Sequence, residues 1–267
     1  MNDVASTTEK VKVWREESAL HIRFNNPAKH NALSVDMWDA LPAILARAAE
    51  DDSVRLVVFS GEGGKAFVSG ADISQFEDLR AAKEAVRKYE GVAEAALQGI
   101  HDFAKPTIAC IRGYCIGGGV NVAIACDIRI ASADSTFAIP ATRLGLGYRV
   151  SAMKNLVDLV GPGAAKDIFF TGRRLHADEA LRIGLVNRVV EADQLPALLA
   201  EYAQHIGSGA PLTIKAGKRI IAEVLRPDAD MDLELCRRLI LDCFESEDYA
   251  EGRRAFMEKR KPVFKGK

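Results

Sequence analysis

The chain repeats one pattern that few folds can satisfy: a short, largely apolar run followed at once by glycine. Val54–Ser60 (VRLVVFS) leads into Gly61-Glu62-Gly63-Gly64, and Pro106–Ile111 (PTIACI) leads into Gly113 and then Gly117-Gly118-Gly119. A strand that is apolar on both faces has to be covered on both, which belongs to α/β architecture. Glycine after such a strand lets the chain turn sharply or approach a neighbour closely. Asp127–Ala131 (DIRIA) reads as a further strand, and an apolar helix is expected from Gly117 to Ala125. Upstream, Val11–Trp14 and Ala19–Phe24 have hairpin character with Glu16-Glu17-Ser18 as the turn. Ser34 is placed to cap an amphipathic helix running to about Ala49.

After Ser151 the strands thin out. Helices are expected over Ser151–Val160, Ala164–Phe170 and Ala177–Ile183, broken at Gly161-Pro162-Gly163 and Gly184. Four more follow from Leu195 onward, with breaks near Gly207–Pro211, Arg226-Pro227 and Ser246. The organisation expected is an α/β core over residues 1–200 and a helical C-terminal region over 201–267. The tail is basic: beyond residue 250, seven Lys and Arg stand against Glu251 and Glu258. That is either a solvated terminal face or a phosphate-binding patch.

Composition excludes several classes. The 267 residues are 48% hydrophobic and 27% charged, with a formal net charge of −1, so neither disorder nor a global pull toward nucleic acid or anionic membrane is expected. The apolar stretch Ile108–Ala133 is interrupted by Arg112, Asn121, Asp127 and Arg129, too polar for a membrane span. Five scattered cysteines without a CxxC pair fit reduced thiols in a cytoplasmic protein rather than a disulfide framework or a zinc cage, and no metal is expected.

No P-loop, GxSxG elbow or HExxH motif is present. What remains is two glycine-containing segments after strands, Phe67–Ile73 and Gly113–Gly119. A backbone N–H at the start of a helix points outward with the positive end of the helix dipole behind it. Two such groups facing one point form an oxyanion hole for an enolate or a tetrahedral intermediate. Tight helix–strand packing explains the same glycines equally well.

The motifs Asn26-Pro27-Ala28-Lys29-His30-Asn31-Ala32-Leu33, Lys65–Ile73, Gly113–Asp127, Thr171-Gly172 with Gly184-Leu185-Val186, and the Ser246–Pro262 tail occur in order. In them the chain resembles the crotonase superfamily (enoyl-CoA hydratase/isomerase) over nearly its whole length. The resemblance implies a spiral of ββα units with a C-terminal helical trimerisation region, assembled as a homotrimer or a dimer of trimers. It implies an acyl-CoA thioester as substrate, with coenzyme A as part of that substrate and no separate cofactor. The thioester oxygen would be held by the N–H groups of Ala71 and Gly118. The coenzyme would be bound around Lys29, Asn31, Ala32, Lys65, Phe67, Gly70, Asp72 and Ile73, with Phe256 and Lys259 from the basic tail.

Hydratases of this family carry two glutamates, three residues after the middle glycine of the triplet and directly after a downstream proline. The matching positions here are Asn121 and Ala141. Neither side chain is a general base, and each such group contributes about 10²–10⁴ in rate, so efficient hydration is not expected. Thr142, Arg143, Tyr148 and Arg149 fall in the segment expected to cover the acyl pocket, and Gln75 and Glu77 on the segment after Ile73. Tyr148 matches the tyrosine of family members that decarboxylate methylmalonyl-CoA, a reaction needing enolate stabilisation and a carboxylate partner such as Arg143 or Arg149 rather than a strong base. A non-catalytic acyl-CoA-binding scaffold is the remaining alternative.

Overall fold

A computed structural model describes residues 8–72 and 83–267. β1 (Val11–Glu16) and β2 (Ala19–Phe24) form the expected antiparallel hairpin, Val11 opposite Phe24 and Glu16 opposite Ala19. β3 (Leu56–Gly61), β5 (Thr107–Ile111), β7 (Ile128–Ser132) and β10 (Arg188–Val190) then add in parallel, giving a six-stranded sheet of order β1-β2-β3-β5-β7-β10. The strands left out build a second sheet: β4 (Ala66–Val68), β6 (Tyr114–Ile116), β8 (Thr136–Ala138) and β9 (Leu175–His176), in that order. From β3 to β8 each turn of the chain therefore gives one strand to the large sheet, the next to the small sheet, and then a helix. That is a spiral of ββα units.

The helices of these turns are α1 (Val35–Glu50), α2 (Lys83–His101), α3 (Gly118–Ala125), α4 (Ala141–Leu144), α5 (Val150–Thr171) and α6 (Ala177–Arg182). The double-sided apolar run of β3 now has its physical reason. Val57 and Phe59 face the main core with Phe24, Phe67, Met37 and Leu41. Leu56 and Val58 face the other side, where they meet Ala19, Ile108, Ile130 and the Leu195 and Leu198 side chains of α7 (Leu195–Gly207). These four β3 side chains are fully buried, each contributing roughly 1.5–3 kcal/mol by transfer from water.

Ser34 holds the N-cap position of α1 without making a side-chain capping bond. The two helices expected on either side of Gly161-Pro162-Gly163 are the two arms of α5, separated by the non-helical Gly161 (φ 73°, ψ 165°), with Pro162 restarting the helical path. The four C-terminal helices stand where the breaks place them: α7, α8 (Pro211–Val224), α9 (Leu233–Glu245) and α10 (Glu247–Met257). Residue 200 falls inside α7, which packs on the large sheet. Among the described residues no helix is long and apolar enough to cross a membrane.

The contact that seats α3 is unusually close. A Cβ on Gly119 would lie 2.3 Å from the Val68 carbonyl oxygen of β4. Gly119→Ala is therefore expected to cost about 1–3 kcal/mol, in the range of overpacked cores, read as a fall in the urea unfolding midpoint. An unchanged midpoint would mean that α3 does not rest on β4 in this way.

Candidate functional site

Two backbone segments are brought together by ordinary secondary-structure bonds. Leu33 N–H donates to the Gly70 carbonyl at 2.8 Å and Asp72 N–H donates to the Leu33 carbonyl at 2.9 Å, an isolated parallel bridge between Leu33 and Ala71. Such a bridge uses the peptides on either side of Ala71 and turns the Ala71 N–H away from Leu33. Gly117 takes φ 53°, a left-handed value suited to glycine, and its N–H donates to the Ala138 carbonyl at 2.8 Å. Gly118 then opens α3, where no carbonyl precedes it within the helix. A Cβ built on Gly117 would lie 3.9 Å from the Gly70 Cα, so the two segments run side by side. Neither the Ala71 nor the Gly118 N–H donates to another group among the described residues.

Both segments line a cavity of about 260 Å³. The sequence-derived positions Gly70, Ala71, Gly118, Asn121, Ala141 and Tyr148 all reach it. Asn121 lies one turn into α3 and is buried, and the Tyr148 hydroxyl donates to its Oδ1. Tyr148 packs edge-on against Phe169, centroids 5.3 Å apart. Burial pushes the Tyr148 phenol above its ordinary range, so it stays a neutral donor. Ala141 is buried directly after Pro140 and offers only a methyl group.

The positions expected around the coenzyme are dispersed. Lys29 Nζ stands 2.9 Å from Asp72 Oδ2, an ion pair beside the Leu33–Ala71 bridge. Asn31 is fully buried, accepting from Asn26 N–H at 2.9 Å and donating to the Glu62 and Ala66 carbonyls at 2.9 and 2.7 Å, so it fastens loops. Ala32 is buried as well, and Phe67 lies wholly in the core, edge-on to Phe24. Lys65 is exposed and its carbonyl accepts from Tyr114 N–H. Phe256 and Lys259 are not brought to the cavity. Phe256 is 82% exposed beside a groove of the C-terminal helices, and Lys259 follows α10 with φ 54°. Ile73, Gln75 and Glu77 lie outside the described residues.

Motif reading missed the wall contributed by α1 and α2. Trp38 and Tyr89 line the cavity, with Trp38 Nε1 donating to the Tyr89 hydroxyl at 3.0 Å. Glu90 lines it too, and its Oε2 is 2.6 Å from Arg149 Nη2. Arg149 Nε lies 3.3 Å from Glu94 Oε2, and Ser151 Oγ donates to Glu94 Oε1 at 2.6 Å. The i,i+4 spacing of Glu90 and Glu94 was the available signal, since it puts both on one helix face. Arg149 is thus held by two carboxylates, and Arg143 is exposed, so neither arginine stands as an open carboxylate receptor in the cavity.

This geometry can be set beside known proteins. The enoyl-CoA hydratase/isomerase family model matches residues 15–267. The chain belongs to the enoyl-CoA hydratase/isomerase family. Short-chain-enoyl-CoA hydratase of Clostridium acetobutylicum is 36% identical over 247 residues, covering 92% of this chain and 94% of that protein. Crotonyl-CoA hydratase of Syntrophomonas wolfei is 33% identical, covering 96% and 98%. A crystal structure of an enoyl-CoA hydratase/isomerase family protein from Hyphomonas neptunium superposes with a TM-score of 0.92 at 37% identity, covering 97% and 99%. The spiral is therefore the crotonase fold.

For this family member the hydrogen-bonded Tyr148–Asn121 pair makes a pH-dependent prediction. Folding raises the phenol above its ordinary value of about 10, so its contribution is complete below that pH and is lost as pH rises beyond it. Tyr148→Phe is expected to lower stability by about 0.5–1.5 kcal/mol at neutral pH, with the gap to wild type narrowing in alkali above about pH 10. Urea midpoints across that range check this; a gap of constant size would contradict it.

Proposed function

We propose that the chain processes acyl-CoA thioesters, holding the thioester oxygen between the N–H groups of Ala71 and Gly118 and stabilising the enolate formed there. The observation that carries this reading is the pair of unengaged backbone donors at the cavity wall. Peptide donors fixed by a bridge and a helix start need no reorganisation when negative charge develops, which is the source of their catalytic value. Lyase or isomerase chemistry on such an enolate follows, within the activities the family's name covers.

Efficient hydration is not part of the proposal. The positions that would carry two glutamates hold an amide and a methyl group. Asn121, with Oδ1 engaged by Tyr148, is placed to present its Nδ2 hydrogens to a polar atom of the acyl group. Decarboxylation of a methylmalonyl-type thioester keeps the support of the Tyr148 hydroxyl, but with Arg149 already shared by Glu90 and Glu94 the cavity offers a substrate carboxylate little. A scaffold that binds acyl-CoA without turnover uses the same backbone donors.

We further propose self-association as a homotrimer or a dimer of trimers through the C-terminal helices, in the cytoplasm. Supporting this, α8 to α10 leave Ile221, Leu225, Leu241, Phe244, Phe256 and Met257 more than half exposed, an apolar area large for a free surface. Phe256 and Lys259 would then serve the coenzyme of a neighbouring copy.

Mass spectrometry of crotonyl-CoA incubated with the protein tests the reaction class. The expected result is binding with little or no product heavier by one water. Asn121→Glu combined with Ala141→Glu is expected to raise hydration by about 10²-fold or more. Rapid hydration by the wild type, or no gain in the double variant, would contradict the assignment of these two positions.

A further inference from the structure

We propose that Glu90 is the acid/base group of this site, an inference that rests on the acyl-CoA reading above. Among the described residues lining the cavity, Glu90 carries the one carboxylate. It projects from α2, a different element from those that bear Asn121 and Ala141. The side chain is held at one oxygen and open at the other: Oε2 lies 2.6 Å from Arg149 Nη2, the side chain remains 51% exposed, and among the described residues Oε1 makes no hydrogen bond.

The neighbouring charges explain why Glu90, rather than Glu94, is available. One guanidinium stands against two carboxylates, so the cluster retains a negative charge. Glu94 does not line the cavity. Its Oε1 accepts from Ser151 Oγ, while its Oε2 is buried with no hydrogen bond and only the Arg149 ion pair beside it. Arg149 is the positioning residue. It lies next to Tyr148 at the start of α5 and ties that end of the cavity to α2.

The step balances without a co-reactant. The Glu90 carboxylate takes a proton from the carbon next to the thioester carbonyl, so that the C–H bond breaks and an O–H bond forms. The electron pair becomes the enolate C=C bond, and the negative charge rests on the thioester oxygen between the Ala71 and Gly118 N–H groups. Return of the proton to the same carbon is exchange with solvent hydrogen. In an unsaturated acyl chain, delivery two carbons further along moves the double bond.

Butyryl-CoA incubated in D₂O tests this, because a saturated chain can neither be hydrated nor isomerised. Deuterium incorporation by the wild type is expected, falling by about 10²–10⁴-fold in Glu90→Gln while butyryl-CoA affinity is retained, and recovering in part in Glu90→Asp. In Arg149→Met the exchange rate is expected to fall while butyryl-CoA affinity is retained, and to recover in part in Arg149→Lys, which can still place a cation beside Glu90. A merely structural salt bridge would not lower the rate at unchanged affinity. Unchanged exchange in Glu90→Gln, or wild-type binding without any exchange, overturns the proposal. Failure of the wild type to bind butyryl-CoA overturns the acyl-CoA reading and this inference with it.

Discussion

The two-bond bridge between Leu33 and Ala71 is the constraint on which the site depends. It fixes a peptide from the loop after β4 against a strand-like segment that leads into α1, and it decides which way the Ala71 N–H points. The second donor is fixed by an independent device. α3 rests so tightly on β4 that only glycine fits at 119, and Gly117 is fastened to Ala138 on β8. Two rigid elements therefore present two donors to one cavity. At the far end of α3, the buried Arg129 donates to the Cys126 carbonyl at 2.7 Å and to the Leu185 carbonyl at 2.9 Å. A cation at a helix C-terminus supports the dipole whose positive end faces the cavity.

Around this fixed frame the side-chain chemistry is variable. The backbone donors persist whatever residue stands at 121 or 141, because they owe nothing to side chains. What changes with those residues is where a proton can be taken or given. Here Asn121, Tyr148 and Ala141 offer an amide, a phenol and a methyl group, and the one carboxylate among the described lining residues, Glu90, stands on α2. The Glu90–Arg149–Glu94 cluster also joins α2 to the start of α5.

Much of the fold was legible because it rests on local signals. The double-sided apolar run of β3, the glycine punctuation and the breaks at Gly207–Pro211 and Ser246 each state a backbone requirement that the structure meets. Gly161-Pro162-Gly163 is another such signal, since Gly161 at φ 73° and ψ 165° interrupts the helical path and Pro162 opens the second arm. Gly118, Asn121, Ala141 and Tyr148 were legible as positions through motif resemblance. Their company was not. Trp38, Tyr89, Glu90 and Glu94 belong to helices whose sequences show only an amphipathic period, and it is tertiary packing that turns those faces into a cavity wall. Asn31 and Phe67 illustrate the reverse: motif positions whose side chains are spent on loop fastening and core packing.

The most direct test of the central claim is the carbonyl stretching frequency of butyryl-CoA, labelled with ¹³C at the thioester carbon, when bound to the protein. Two N–H donors on one oxygen weaken the C=O bond, so infrared difference spectra are predicted to show the labelled band at lower wavenumber than in free butyryl-CoA. A bound carbonyl absorbing at the free frequency would contradict the claim that Ala71 and Gly118 hold the thioester oxygen.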